Sequence, residues 1–99
     1  MGWATQYIEG LQAGKTVSFR PTGGSMEGKI SSGQLVTVAP LKEDPVLGDI
    51  VLCEVGGAQY LHLVKAVKDE LFQIGNNKGR INGWVSRVRI YGKCIKVED

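Results

Sequence analysis

The stretch IVLCEVGGAQYLHLVKAV, residues 50–67, decides the fold of this 99-residue chain. Residues 50–55 are almost continuously apolar, as in a strand that is buried on both faces. Gly56 and Gly57 then supply the backbone freedom of a tight hairpin turn, and residues 59–67 return as a second strand. The stretch therefore predicts an antiparallel β-hairpin.

Further short apolar runs, separated by glycines, extend the β pattern along the chain in both directions. The sequence has 14 Gly and only 3 Pro, a balance typical of a β-rich domain with many tight turns. Asn82 and Gly83 are predicted to form such a turn, and the last strand is predicted to break at Gly92. The predicted strands cover residues 16–20, 34–39, 50–55, 59–67, 71–74 and 89–97.

The first residues of the chain have a helical period instead. Ala4, Ile8 and Leu11 recur on one side of a helix over residues 3–13, and Gly14 is placed as its C-terminal stop. We therefore expect a mainly β fold: a convoluted antiparallel β domain, residues 15–99, after one short amphipathic helix, residues 1–14. The apolar stripe of the helix can pack on its own domain or on another chain, so a homodimer stays open.

Composition argues against several classes of function. The net charge of +2 is mild, and the basic residues near the C-terminus are not interleaved with aromatic side chains, so we expect a solvated face rather than a nucleic-acid surface. The basic residues near the C-terminus are Arg80, Arg87, Arg89, Lys93 and Lys96.

The sequence also contains no pattern of metal ligands. The two cysteines and the single histidine form no Cys-x-x-Cys pair and no Cys/His cluster, so we expect neither a metal nor a cofactor.

Targeting signals are also missing from the sequence. No apolar run approaches the ~20 residues that cross a bilayer, and the N-terminus does not have the pattern of a signal peptide. We therefore expect a cytoplasmic protein, in which a reducing environment keeps Cys53 and Cys94 as free thiols. A disulfide between them is the alternative that the sequence leaves open.

A second stretch, GGSMEGKI at residues 23–30, carries the candidate nucleophile. Two glycines allow a close approach to a ligand, and the hydroxyl of Ser25 follows directly. The backbone N–H of Ser25 is then free to face a developing oxyanion. On residue types alone Gly-Gly-Ser is more often a plain turn, so the chemistry depends on a partner further along the chain.

His62 is the only histidine and lies within the strand YLHLVK, residues 60–65. Strand alternation places His62 on the face of Tyr60 and Lys65 on the opposite face, so His62 and Lys65 should not act on the same substrate atom. A neutral imidazole near Ser25 would be a suitable general base. A lone histidine in an apolar strand is more often a buried structural residue, and this alternative stays open.

Six short motifs follow one another along the chain: GSM (24–26), SGQLV (32–36), GDIV (48–51), YLHLV (60–64), GNN (75–77) and YGK (91–93). Their order resembles the catalytic β domain of type I signal peptidases and of the LexA-like self-cleaving repressors. The resemblance covers residues 15–97. In that superfamily a Ser-Met pair carries the nucleophile, and a later strand carries a Lys or His general base.

The resemblance implies that Ser25 is the nucleophile and His62 the general base, as in the serine–histidine branch of archaeal and endoplasmic-reticulum signal peptidases. It implies oxyanion donors at Ser25 and Gly24, and a substrate groove that includes Met26 and Tyr60. The activity it implies is that of a small serine endopeptidase. Such an enzyme would cleave an extended peptide segment of a partner protein or of itself, bound as an added β-strand.

Two departures from the family pattern affect the expected site. The family loop Gly-Asp-Asn becomes Gly-Asn-Asn here, so the amide of Asn76 stands where an acid would orient His62. Asp49 is the other candidate for this orienting role. Some signal peptidases carry a second oxyanion hydroxyl two residues before the nucleophile, a position that is Gly23 in this chain.

These departures favour an alternative function, that of a catalytically inactive domain of the same superfamily that binds a protein or a peptide. A third and weaker alternative is a nucleic-acid-binding β domain that uses the basic C-terminal segment. The chain also lacks the membrane anchor of signal peptidases and the DNA-binding domain of the repressors, so the expectation is a stand-alone domain.

Overall fold

A computed structural model describes residues 2–99, so Met1, the first residue of the segment 1–14, lies outside the described residues. The mainly β class is confirmed: 47% of the chain is strand and 11% is helix, in one antiparallel seven-stranded sheet with a short N-terminal helix. The elements are α1 (Thr5–Gln12), β1 (Val17–Phe19), β2 (Leu35–Pro40), β3 (Ile50–Val55), β4 (Ala58–Lys68), β5 (Leu71–Gly75), β6 (Ile81–Ser86), a 3-10 turn (Arg87–Arg89) and β7 (Ile90–Glu98).

The strands follow one another in the sheet in the order β1-β2-β7-β3-β4-β5-β6, and every neighbouring pair is antiparallel. Strands β3 to β6 form a meander, and β7 returns to lie between β2 and β3. The hairpin predicted from residues 50–67 is present, with Val51 opposite His62 and Cys53 opposite Tyr60. Within residues 2–99, no helix is long and apolar enough to cross a membrane.

Strand β3 is buried on both faces, as its continuous apolar run predicts. Leu52 belongs to an apolar cluster that includes Leu61, Leu63 and the inner side of α1. The alternate residues Val51 and Cys53 belong to a second cluster on the other face of the sheet. The two faces of the sheet therefore carry separate cores. Strand β4 contributes to both, with Leu61 and Leu63 in the first cluster and Val64 in the second.

The predicted helix is present, and its apolar stripe packs on its own domain. Ala4, Ile8 and Leu11 are buried in the first cluster. The helix ends in a Schellman motif, because the N–H of Gly14 donates to the Leu11 carbonyl and the N–H of Lys15 donates to the carbonyl of Gly10. Gly14 has a φ of +84°, which explains why a glycine stops the helix there.

Two predictions about glycines are wrong. Asn82 and Gly83 do not form a turn but lie inside β6, where Gly83 is opposite Ile74 and has a φ of +149°. Strand β7 is continuous through Gly92 and does not break there. A methyl group on Gly92 would lie 2.7 Å from the Ala39 carbonyl oxygen, so this glycine allows close approach of the backbone within the sheet.

Candidate active site

Ser25 lies on the loop that joins β1 to β2. The loop is closed at its base, where the N–H of Gly33 donates to the carbonyl of Pro21 over 2.9 Å. Met26 and Ile30 are buried in the first apolar cluster and anchor the loop to the sheet. Ser25 itself is exposed. The loop therefore has a fixed backbone and presents the residue that carries the hydroxyl at the surface.

Ser25 and His62, 37 residues apart in the sequence, meet in the structure. The Oγ atom of Ser25 lies 3.3 Å from Nε2 of His62. The other ring nitrogen, Nδ1, lies 2.8 Å from Oδ1 of Asn82 on β6. The three side chains thus form a chain of hydrogen bonds from hydroxyl to imidazole to carboxamide.

The carboxamide of Asn82 sets the tautomer of the imidazole. Its Oδ1 atom has no proton, so Nδ1 of His62 must be the donor in that hydrogen bond. Nε2 is then unprotonated and accepts the hydroxyl proton of Ser25. This is the protonation state that a general base requires.

The structure places the two expected orienting residues elsewhere. Oδ1 of Asn76 accepts hydrogen bonds from the backbone N–H groups of Lys78 and Arg80, so its side chain shapes the β5–β6 loop instead of contacting His62. The carboxylate of Asp49 accepts from the N–H of Val46 and lies 3.5 Å from the ammonium group of Lys93.

Asn82 is the functional candidate that the sequence did not reveal. Asn-Gly is a strong turn signal, and this signal masked the strand around it. The clue in the sequence is an amide between apolar residues, Ile81 on one side and Trp84 and Val85 on the other, because asparagine is depleted in strands unless its side chain has a partner.

Asn77 ties the β5–β6 loop to the serine loop. Its backbone N–H donates to the carbonyl of Ser25 over 3.0 Å, and its Nδ2 donates to the carbonyl of Glu27 over 2.7 Å. These two bonds clamp the backbone on either side of Met26. The GNN motif therefore positions Ser25, whereas β6 positions His62.

The pKa of His62 is lowered from its ordinary value of 6.5. Burial of the ring is the main cause, because desolvation disfavours the charged imidazolium. The positive charge of Arg80 lowers the pKa further, whereas the hydrogen bond to Asn82 opposes the shift. His62 is therefore neutral at pH 7.

A cleft of about 160 Å³ opens beside the Ser25 hydroxyl. Met26 forms part of its wall, and Tyr60 stacks on the His62 ring with centroids 4.9 Å apart. Both predicted groove residues thus line the same cleft as Ser25 and His62. The remaining lining residues are Trp3, Pro21, Thr22, Gly23, Ile30, Ser31, Ser32, Gln59 and Leu61.

One edge of this cleft is an open strand edge. Strand β5 pairs with β4 only from Leu63 onward, so residues 58–62 have a neighbouring strand, β3, on one side alone. The pair that flanks a two-residue hairpin turn is hydrogen-bonded, and alternate pairs point their backbone groups outward. Gln59 and Leu61 are therefore the outward-pointing positions, and the Gln59 carbonyl accepts a hydrogen bond from the Trp3 indole.

The backbone N–H of Ser25 is a candidate oxyanion donor. It donates no hydrogen bond to any group of residues 2–99, and Ser25 lines the cleft. The N–H of Gly24 is also without a partner in that part of the chain, but Gly24 does not line the cleft. Gly23 offers only its backbone, since it has no side chain.

Neither thiol of the described residues is a good nucleophile. Cys53 and Cys94 are free, and burial raises the pKa of both thiols, that of Cys53 to about 12. They are therefore protonated and poorly nucleophilic at pH 7. No group of three or more His, Cys, Asp and Glu side chains within residues 2–99 is arranged to hold a metal ion.

Comparison with known proteins adds no relative. No protein-family model, no curated protein and no solved structure matches this chain.

Proposed function

We propose that this protein is a small serine endopeptidase with a Ser25–His62–Asn82 catalytic site. The observation that carries the proposal is the continuous hydrogen-bonded chain from Ser25 Oγ through both ring nitrogens of His62 to the carboxamide of Asn82. A serine next to an oriented neutral histidine is the arrangement that activates a hydroxyl for attack on a carbonyl carbon.

The proposed reaction is acyl transfer to Ser25 followed by hydrolysis. His62 Nε2 takes the Oγ proton as Oγ attacks the scissile carbonyl, and the Ser25 N–H faces the resulting oxyanion. When the C–N bond breaks, His62 returns this proton to the leaving amine. A water molecule then gives a proton to His62 and attacks the acyl-enzyme, which releases the carboxylate product and restores the serine hydroxyl.

The proposed substrate is an extended peptide that pairs with the open edge of β4. The outward-pointing backbone groups of Leu61 lie beside the dyad and would bond to a substrate strand. The cleft of about 160 Å³ has room for small side chains next to the scissile bond. A second cavity, of about 400 Å³, shares Trp3, Pro21 and Thr22 with this cleft, and there Tyr7 and Phe19 could contact a larger residue.

The proposal includes membership of the signal peptidase and LexA-like superfamily, and it is supported by the resemblance of the sequence motifs. Three of these motifs contribute residues to the site: Ser25 of the Ser-Met pair, His62 on the later strand and Asn77 of the GNN loop. This convergence supports the proposal. The proposed setting is the cytoplasm, and the proposed substrate is a segment of a partner protein or of the chain itself.

A binding module without catalytic activity is the second candidate. It is favoured by the uncharged Asn82, because an amide stabilises an imidazolium less than a carboxylate does. The charge of Arg80 disfavours the imidazolium as well. In such a module the open edge of β4 would still capture an extended peptide.

Covalent labelling tests the proposed nucleophile. A fluorophosphonate reacts with an activated serine, whose Oγ displaces fluoride from phosphorus while the base removes the hydroxyl proton. We expect one adduct per chain, mapped to Ser25 by peptide mass spectrometry and lost in Ser25→Ala and His62→Ala. A Ser86→Ala control, on an exposed serine whose side chain makes no hydrogen bond within residues 2–99, should label normally. Equal labelling of Ser25→Ala and wild type would contradict the proposal.

A further inference from the structure

Two cations flank the candidate active site without a carboxylate partner. A methyl group on Gly24, the residue before the nucleophile, would lie 3.5 Å from Nζ of Lys78. The charge of Arg80 acts on the ring of His62. The ion pairs formed by residues 2–99 involve other cations, namely Arg87, Lys93 and Lys96.

The β5–β6 loop fixes the backbone that carries these two cations. Oδ1 of Asn76 accepts from the backbone N–H of Lys78 over 2.8 Å and from that of Arg80 over 2.9 Å, and the N–H of Asn76 donates back to the Arg80 carbonyl. Gly75 allows this tight loop, because a methyl group there would lie 2.4 Å from the Arg80 carbonyl oxygen. The loop is thus a fixed platform whose exposed side chains are positively charged.

No protein carboxylate balances this charge at the dyad. The orienting residue Asn82 and the loop residue Asn76 are both amides. Asp49 is paired with Lys93, and the Glu27 carboxylate forms no ion pair with any cation of residues 2–99. With His62 neutral, unpaired positive charge lies close to Gly24 and to the His62 ring, beside the cleft rather than among its lining residues.

We propose that the site selects a peptide that carries a carboxylate beside the residue bound at Ser25, with Lys78 and Arg80 as the groups that recognise it. This proposal rests on the proposed peptidase function and names its substrate class. The carboxylate is that of an Asp or Glu side chain or of a peptide C-terminus. A bound carboxylate would also offset the charge of Arg80 and stabilise the imidazolium that forms when His62 takes the serine proton.

Peptide binding to the Ser25→Ala variant tests this inference without depending on catalysis. The probes are hexapeptides of Ala and Gly with blocked ends, which carry one Asp, one Asn or one Lys at each position in turn. A further all-Ala probe with a free C-terminus separates a terminal carboxylate from a side-chain one. Dissociation constants come from NMR titration of the ¹⁵N-labelled protein, at about 0.02 M and 0.3 M salt.

We expect Asp at one position, or the free C-terminus, to bind roughly three- to tenfold more tightly than the neutral probe, the range for one or two exposed ion pairs. The preference should shrink at the higher salt concentration, because exposed charges are screened. Lys78→Met and Arg80→Met, each added to Ser25→Ala, should reduce it. Lys68→Met, at the exposed C-terminal end of β4, is the matched control and should leave the preference unchanged.

Each result separates this inference from the proposed peptidase function. Equal binding of the Asp, Asn and Lys probes, or no binding of any probe at 10 mM peptide, overturns the carboxylate preference and leaves the hydrolysis tests to decide the function. A carboxylate preference in a protein that hydrolyses no peptide supports this inference and overturns the peptidase. An equal effect of the Lys68→Met control would show a general charge effect and would also overturn the inference.

Discussion

The imidazole of His62 is held by the carboxamide of Asn82, whose Oδ1 lies 2.8 Å from Nδ1 of the ring. A strand residue that has no charge thereby fixes both the orientation and the tautomer of the proposed general base. The proposed site differs in this respect from a triad with a buried carboxylate, because the amide orients the ring without strongly favouring its charged form.

Replacing Asn82 tests this role. Asn82→Asp keeps an acceptor for the ring N–H and adds a negative charge, so we expect the pKa of His62 to rise and kcat to increase by up to about tenfold. Asn82→Ala leaves the ring free to rotate and should lower kcat about 10- to 100-fold. NMR titration of the ring and steady-state kinetics measure both effects. Equal kcat values for wild type and Asn82→Ala would show that the amide does not position the base.

The pH dependence of activity follows from the environment of His62. The general base must be neutral, and burial and Arg80 lower its pKa, so kcat/KM should rise with pH through a midpoint below 6.5 and stay level above it. Arg80→Gln removes one cause of the lowered pKa and should move the midpoint upward. A pH profile of wild type and Arg80→Gln on a neutral substrate measures both shifts. A downward shift in the variant would contradict this explanation.

Asn77 is predicted to position the nucleophile without affecting the base. Asn77→Ala removes the hydrogen bond from Nδ2 to the Glu27 carbonyl, which lets the serine loop move away from His62. We expect kcat to fall about 10- to 100-fold, with a loss of only about 1 kcal/mol in the free energy of unfolding. The pKa of His62 should stay the same, since Asn77 forms no hydrogen bond with the ring. A changed pKa with unchanged kcat would refute this separation of roles.

Gly92 is predicted to be essential for packing within the sheet. A methyl group there would lie 2.7 Å from the Ala39 carbonyl oxygen and 3.0 Å from Cδ1 of Leu11, so Gly92→Ala must displace β2 or α1. We expect it to lower the free energy of unfolding by roughly 2–3 kcal/mol. Gly48→Ala is the control: its φ is +92° but a methyl group has open space, so only the conformational cost of about 1 kcal/mol applies. Denaturant unfolding measures the free energy of unfolding of both variants. A smaller loss of this free energy in Gly92→Ala than in Gly48→Ala would contradict the prediction.

The strands were predictable wherever apolar residues alternate or run continuously, because burial alone then determines the structure. The bounds predicted for β3, residues 50–55, are those observed, and α1 was evident from its stripe and from Gly14. Strand β6 could not be predicted in this way. Its Asn-Gly pair is a local turn signal, and its pairing with β5 depends on the three-dimensional structure.

The same difference applies to the candidate site. Ser25 and His62 could be proposed from residue type and motif order, but the orienting partner could not. Asn76 is the residue that the motif resemblance implies for this role, yet its carboxamide closes a tight loop, and Asn82 on β6 contacts the ring instead. A hydrogen bond between residues 20 positions apart depends on the strand register, which the sequence of either residue does not specify.

The most direct test of the Ser25–His62–Asn82 site is a mass-spectrometric cleavage profile of a diverse peptide library between pH 5 and pH 9. Wild type is compared with Ser25→Ala and His62→Ala, and Ser86→Ala serves as the control. We predict cleavage by wild type and the control alone, next to small residues, with an activity that increases with pH through a midpoint below 6.5. Cleavage that persists in Ser25→Ala, or no cleavage by the folded wild-type protein at any pH, would contradict the proposed peptidase site.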